Sequence, residues 1–217
     1  LVLDCGNIID LSWTQRYEQK LGAIVYAWQG GMESGTALAD VLTGTVNPSG
    51  KLTDTIAINY EDYPSSQSFG GQNFNAYTED IYVGYRYFET FAPDRVLYPF
   101  GFGLSYTRFR LSSRAAVSGS QITVSTDVEN IGDEAGREVV QVYVDLPCGK
   151  LGNPKRVLAG FQKSHLLNPG QQETVEITFD LGDLASFDDT GASGAKFAFV
   201  LEPGSYCIQA GTSIRDV

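Results

Sequence analysis

The stretch Gln121-Ile122-Thr123-Val124-Ser125-Thr126-Asp127-Val128 alternates between two kinds of side chain. Successive side chains of an extended strand point to opposite faces, so Ile122, Val124, Thr126 and Val128 share one face and the more polar residues the other. That period of two marks a strand with one face against a core; a helix would repeat its apolar residues every three to four positions. The same alternation returns at Val140, Val142 and Val144, and again at Val175, Ile177, Phe179 and Leu181. Turn-forming residues break the pattern at Gly119, 130–136, 147–154, Pro169-Gly170, 182–194 and Pro203-Gly204.

From about Arg108 onward this gives seven candidate strands in roughly 110 residues, the signature of an immunoglobulin-like or fibronectin type III-like sandwich. The Cys and Trp spacing of a true immunoglobulin domain is missing, which selects the fibronectin type III-like variant for residues 106–217. Residues 59–105 read differently, as a linker rich in Tyr, Phe, Gly and Ser. Its centre, Ile81-Tyr82-Val83-Gly84-Tyr85-Arg86-Tyr87-Phe88, has strand propensity and an aromatic density that a free tether would not carry. The expectation is a clamp with both sides covered, packed on the domain before it, with Gly101 and Gly103 letting the backbone turn beneath the neighbouring rings.

Residues 1–58 read as the C-terminal portion of an α/β domain. An opening apolar run, a short helix over Ser12–Lys20 capped by Ser12 or Thr14, and a buried-type strand over 23–28 form a parallel unit. A second helix over 33–42, with Ala37, Leu38, Val41 and Leu42 on one face, stops at Gly44. Two strands and two helices do not cover both faces of a parallel sheet, so the domain is expected to be incomplete as written. The fold class is thus α/β plus all-β.

Hydrophobic residues at 42% and charged residues at 19% fit an ordinary globular chain, and no apolar run is long enough for a membrane helix. A net charge of −11 repels phosphate backbones and anionic lipid, which argues against nucleic-acid and membrane partners. Cys5, Cys148 and Cys207 are read as buried free thiols. His165, the one histidine, sits near a strand end, where a surface role outweighs metal or triad chemistry. Asp180, Asp183, Asp188 and Asp189 match no calcium-loop spacing and are read as solvated. No phosphate loop or Cys/His pattern is present, so neither a cofactor nor a metal is expected.

Three stretches resemble glycoside hydrolase family 3. They are Ala27-Trp28-Gln29-Gly30-Gly31-Met32-Glu33-Ser34-Gly35 continuing to Asn47-Pro48-Ser49-Gly50-Lys51-Leu52, then Tyr77-Thr78-Glu79-Asp80 through Glu89, then Tyr98-Pro99-Phe100-Gly101-Phe102-Gly103-Leu104-Ser105-Tyr106. The resemblance implies a β-glucosidase-like enzyme built from a barrel, an α/β sandwich domain and a fibronectin-like domain, acting on a β-linked oligosaccharide or glucoside with retention. It also implies that the nucleophile is an Asp of the barrel and the acid/base a Glu in a Gly-Glu-Gly-like context; this sequence contains no such context, so no catalytic residue is assigned to it. The barrel of the same polypeptide is the implied partner, and a homodimer is left open. The C-terminal end is similar to circularly reordered β-glucosidases, and whether the barrel precedes or follows stays open.

Four residues are singled out as sugar-binding candidates: Trp28, Gln29, Glu33 and Asp80. Strand ends in open α/β sheets line ligand crevices, and an aromatic face beside polar groups suits a sugar ring. The plainer reading of Glu33 is a first-turn acid complementing the helix N-terminus. For Asp80 it is an ion-pair cluster with Glu79 and Arg86; here the family more commonly has Gly. A non-catalytic carbohydrate-binding or adhesion module and a structural spacer are the rival functions. The first should expose aromatics on a sandwich face, and the second has no use for half of a parallel sheet.

Overall fold

A computed structural model describes residues 1–217. The expected parallel unit is present: β1 (Val2–Leu3) pairs in parallel with β2 (Val25–Tyr26). The intervening Ser12–Lys20 is a 3₁₀ helix, and its cap is neither Ser12 nor Thr14. The N-cap position is Leu11, which caps with no side chain; Asp10 before it accepts from the Ser12 N–H at 2.8 Å and from its hydroxyl at 3.0 Å. Helix α1 (Ser34–Leu42) follows Gly30-Gly31, and Gly44 behind it adopts φ 80°. A short antiparallel pair, β3 (Ile56–Ala57) with β4 (Val96–Tyr98), joins the small core of Leu3, Leu11 and Ile56.

The aromatic run at 81–88 is not a strand. Glu79 to Tyr82 makes a turn, Gly84 takes φ 59°, and helix α2 (Tyr85–Phe91) begins at once. Short aromatic runs satisfy either period, and a glycine in the left-handed region ends an extended segment. As a helix the run turns Phe88 inward, 1% exposed, edge-on to Tyr63 at 5.5 Å. Tyr85 lies against Phe100 at 4.7 Å and Tyr82 against Phe91 at 4.8 Å. The two-sided cover expected of a strand is absent, since Val83 and Phe91 are exposed. Nor do Glu79, Asp80 and Arg86 pair; Glu89 pairs instead with Arg215 at 2.8 Å.

The sandwich has two three-stranded sheets. One orders β5 (Phe109–Ser118), β6 (Gln121–Asn130) and β9 (Gln172–Asp180); the other orders β12 (Cys207–Gly211), β7 (Val139–Asp145) and β8 (Arg156–Lys163). A separate ribbon pairs β10 (Ser186–Asp188) with β11 (Ala198–Val200), so eight strands stand where the sequence suggests seven. Ile122, Val124 and Val128 face Val140, Val142 and Val144 across the core, with Val175, Ile177 and Phe179 beside them. Each buried side chain of this size contributes roughly 1.5–3 kcal/mol by leaving water.

Strand β7 is buried on both faces, not alternately. Its second face is covered by the chain at 99–102 and 212–214: the Gln141 amide donates to the carbonyls of Gly101 (3.1 Å) and Thr212 (2.6 Å), and Tyr143 donates to Gln141 at 2.5 Å. A Cβ at Gly101, φ 79°, would lie 2.1 Å from the Gln141 oxygen, so only glycine fits there. Burial pushes the Tyr143 phenol well above its ordinary pKa. On the outer edge of β8 the Leu158 N–H donates to Tyr85 at 3.0 Å, and just before the strand the Lys155 N–H donates to Thr90 at 2.9 Å. The aromatic segment therefore packs on the sandwich as well as on the domain before it.

Two other expectations are corrected. Cys148 and Cys207 are exposed and only Cys5 is half-buried, because the last two lie at loop-facing ends of the sandwich, not in its core. Asp188 is buried, not solvated, and organises the loop after β10. It accepts from the N–H groups of Gly191, Ala192 and Ser193 and from the Ser193 hydroxyl at 2.6 Å. These bonds, the Ser193 hydroxyl foremost, hold its carboxyl well below the usual carboxylate range.

Candidate functional site

Three of the four candidates lie on one short stretch beyond the parallel pair. The Ala27 N–H closes that pair on the Leu3 carbonyl at 2.8 Å, and the chain then turns at Trp28 with φ 56°. A bulky residue in this region is strained, and such strain gathers where a side chain must be aimed. Asp80, at φ 50°, is another of the three non-glycine residues with positive φ; the third is Phe197.

The Trp28 ring rests on Tyr26 at 4.6 Å. Tyr26 is itself fixed, donating to the Asn7 carbonyl at 2.5 Å and accepting from the Cys5 thiol at 3.3 Å. Burial and then the Cys5 contact raise its pKa, so it stays neutral and acts as a support for the indole. The sequence reading missed Tyr26; its place two residues before Trp28, on the same strand face, was the available signal. Gln29 is exposed, its amide close over Gly6.

Glu33 occupies the N-cap position of α1 without its side chain capping any N–H; the carboxylate accepts from the Thr36 hydroxyl at 3.2 Å and is exposed. A half-buried indole, an exposed amide and an exposed carboxylate on six consecutive residues are groups able to meet a pyranose by ring contact and hydroxyl hydrogen bonds. Asp80 joins this group through no hydrogen bond or ion pair. Its turn leans the other way, where Tyr82 donates to the Gly152 carbonyl of the sandwich.

A cavity of about 410 Å³ lies elsewhere, between Gln67, Ser68, Gly71, Gln72, Asn73, Phe74 and Ala76, and includes none of the four. Phe69, Phe74 and Tyr77 are exposed around it. No group of three His, Cys, Asp or Glu side chains converges as metal ligands, and no helix is long and apolar enough to cross a membrane. His165 is exposed and contacts Glu173 at 2.6 Å.

Residues 1–106 match the glycosyl hydrolase family 3 C-terminal domain and residues 138–214 the fibronectin type III-like domain. A β-glucosidase of Ruminococcus albus is 47% identical over 99% of this chain and 22% of its own length. β-Glucosidase A of Butyrivibrio fibrisolvens is 46% identical, over 100% of this chain and 28% of its own. The crystal structure of a β-glucosidase from Paenibacillus barengoltzii superimposes with a TM-score of 0.93 at 46% identity, covering 99% of this chain and 24% of that one. β-Glucosidase 3B from Thermotoga neapolitana, in complex with α-D-glucose, does so at 0.88 and 39% identity, over 99% and 29%. The chain spans less than a third of the length of these relatives. Two family models in the order of the two folded parts, and alignments across nearly the whole chain, show that it belongs to glycoside hydrolase family 3.

Proposed function

We propose that this chain is the supporting portion of a retaining β-glucosidase, dividing at about residues 58 and 106 into α/β portion, aromatic clamp and sandwich. The observation that carries the reading is near-complete alignment to proteins named β-glucosidase of which it spans 22% and 28%. In this reading the nucleophile and the acid/base lie outside the chain, on the barrel and on an earlier part of the α/β domain. A retaining mechanism needs two carboxyl groups about 5–5.5 Å apart across the scissile bond. Glu33 and Asp80, the two acidic candidates, stand on separate segments and share no ligand-like contact.

Trp28, Gln29 and Glu33 would border the sugar, with Asp80 a weaker fourth. Their role would be to orient the ring and hold its hydroxyls, which lowers the barrier by positioning and not by bond making. A module that binds sugar on its own is not favoured, since the aromatics exposed on the sandwich strands, Phe161 on β8 and Phe187 and Phe199 on the ribbon, are all Phe and lack the polar edge of Trp or Tyr. The test is hydrolysis of an aryl β-glucoside. The 217-residue chain should give no turnover above buffer, while the polypeptide containing it and a barrel should be active. Dose-dependent turnover by the chain alone would refute the placement of the catalytic pair.

A further inference from the structure

None of the nine residues of α1 is fully buried within this chain, which spans less than a third of its relatives. Its C-terminal end is held by polar contacts to the approach of the sandwich. The Tyr106 hydroxyl donates to the Val41 carbonyl at 2.8 Å. Just beyond the helix, Asn47 accepts from the Ser105 hydroxyl (3.0 Å) and the Tyr106 N–H (2.9 Å), and its amide donates to the Ala135 carbonyl at 3.0 Å. Four residues on, Lys51 donates to the Gly103 carbonyl at 3.2 Å and pairs with Glu138 at 2.8 Å, the two side chains 12% and 9% exposed. The backbones touch here as well, since a Cβ on Gly103 would meet the Gly50 carbonyl oxygen at 2.3 Å.

The other end of α1 carries Glu33, preceded by Trp28 and Gln29. A helix of this length is a stiff rod about 14 Å long, so where its C-terminal end is fixed its N-terminal end follows. We propose that Asn47 and Tyr106 are positioning residues: through α1 they register the Trp28, Gln29 and Glu33 segment against the sandwich, and so set how a glucoside sits there. This gives the fibronectin-like domain a part in sugar binding without contact to sugar, and it rests on the subsite reading above. Removing Asn47 strands two donors and one acceptor at once, and partly buried groups left without partners shift to find others.

The test uses the intact enzyme that carries this chain. Asn47→Ala, the isosteric Tyr106→Phe and Asn47→Asp, which keeps the acceptor and loses the donor, are compared on an aryl β-glucoside while amide exchange is followed in α1. The expected result is faster exchange in α1 and a KM raised about three- to tenfold, with kcat changed less than about twofold, and Asn47→Asp intermediate. Faster exchange with KM unchanged, or exchange unchanged, overturns the proposal. Trp28→Ala and Glu33→Gln run alongside: an unchanged KM in both removes the subsite and the proposal with it. A raised KM in these two but not in the Asn47 and Tyr106 variants removes the positioning alone.

Discussion

Residues 107–217 hold 26 of the 34 fully buried residues, and residues 1–106, nearly as long, hold eight. The sandwich closes on itself: two antiparallel sheets turn their apolar faces to each other and need nothing further. The α/β part rests on two strand pairs of two or three residues a strand, and it leaves Met32, Phe69, Phe74 and Tyr77 more than three-quarters exposed. What the difference teaches is that within this chain one part carries its own core, while the other does not and is tied to the first through Gln141, Lys51 and Tyr85.

The contrast predicts its largest effect on separation. Residues 107–217 expressed alone should unfold in one cooperative transition, whereas residues 1–106 alone should give the poorly dispersed amide spectrum of an unfolded or fluctuating chain. A folded spectrum from the first part would erase the contrast. A smaller effect distinguishes depth within the clamp. Phe88→Ala should cost about 3–5 kcal/mol, because the ring is enclosed. Phe100 is half-buried, so Phe100→Ala should cost about 1–2 kcal/mol. Equal losses in denaturant unfolding would mean that the clamp has one environment and not two.

The smallest effect concerns the ribbon of the sandwich. The Asp188 pKa is lowered on folding, so its contribution is present above the unfolded value of about 3.9 and fades as pH falls below it toward the folded value. Amide exchange at 190–193 should quicken below about pH 4 while β6 and β7 stay protected. Asp188→Asn should exchange fast there at every pH and lose the acid dependence. An acid response that survives in that variant would point to another carboxylate.

The sandwich strands were legible because a period of two is a local property that any nearby core will read the same way. Ile122, Val124 and Val128 could face inward together in only one register. The family motifs were equally local, and they fix the membership. The candidate stretch Trp28, Gln29 and Glu33 was found from its place after a parallel strand; the Tyr26 support beneath it was not, because it depends on Asn7 and Cys5 folding back from the other strand.

Other features were decided only by tertiary structure. The run at 81–88 satisfies strand and helix patterns alike, and the choice fell to Gly84 and to the edge of β8, which offers the Leu158 N–H to Tyr85. The second buried face of β7 exists because distant chain at 99–102 covers it. Asp188 looks like any loop carboxylate until the loop folds around it, and Asn47 looks like an ordinary turn residue although its partners lie 58 to 88 residues away. Short-range pattern determines which face of an element is apolar; what comes to lie against that face, and which polar groups must then be paired, is fixed only when remote segments meet.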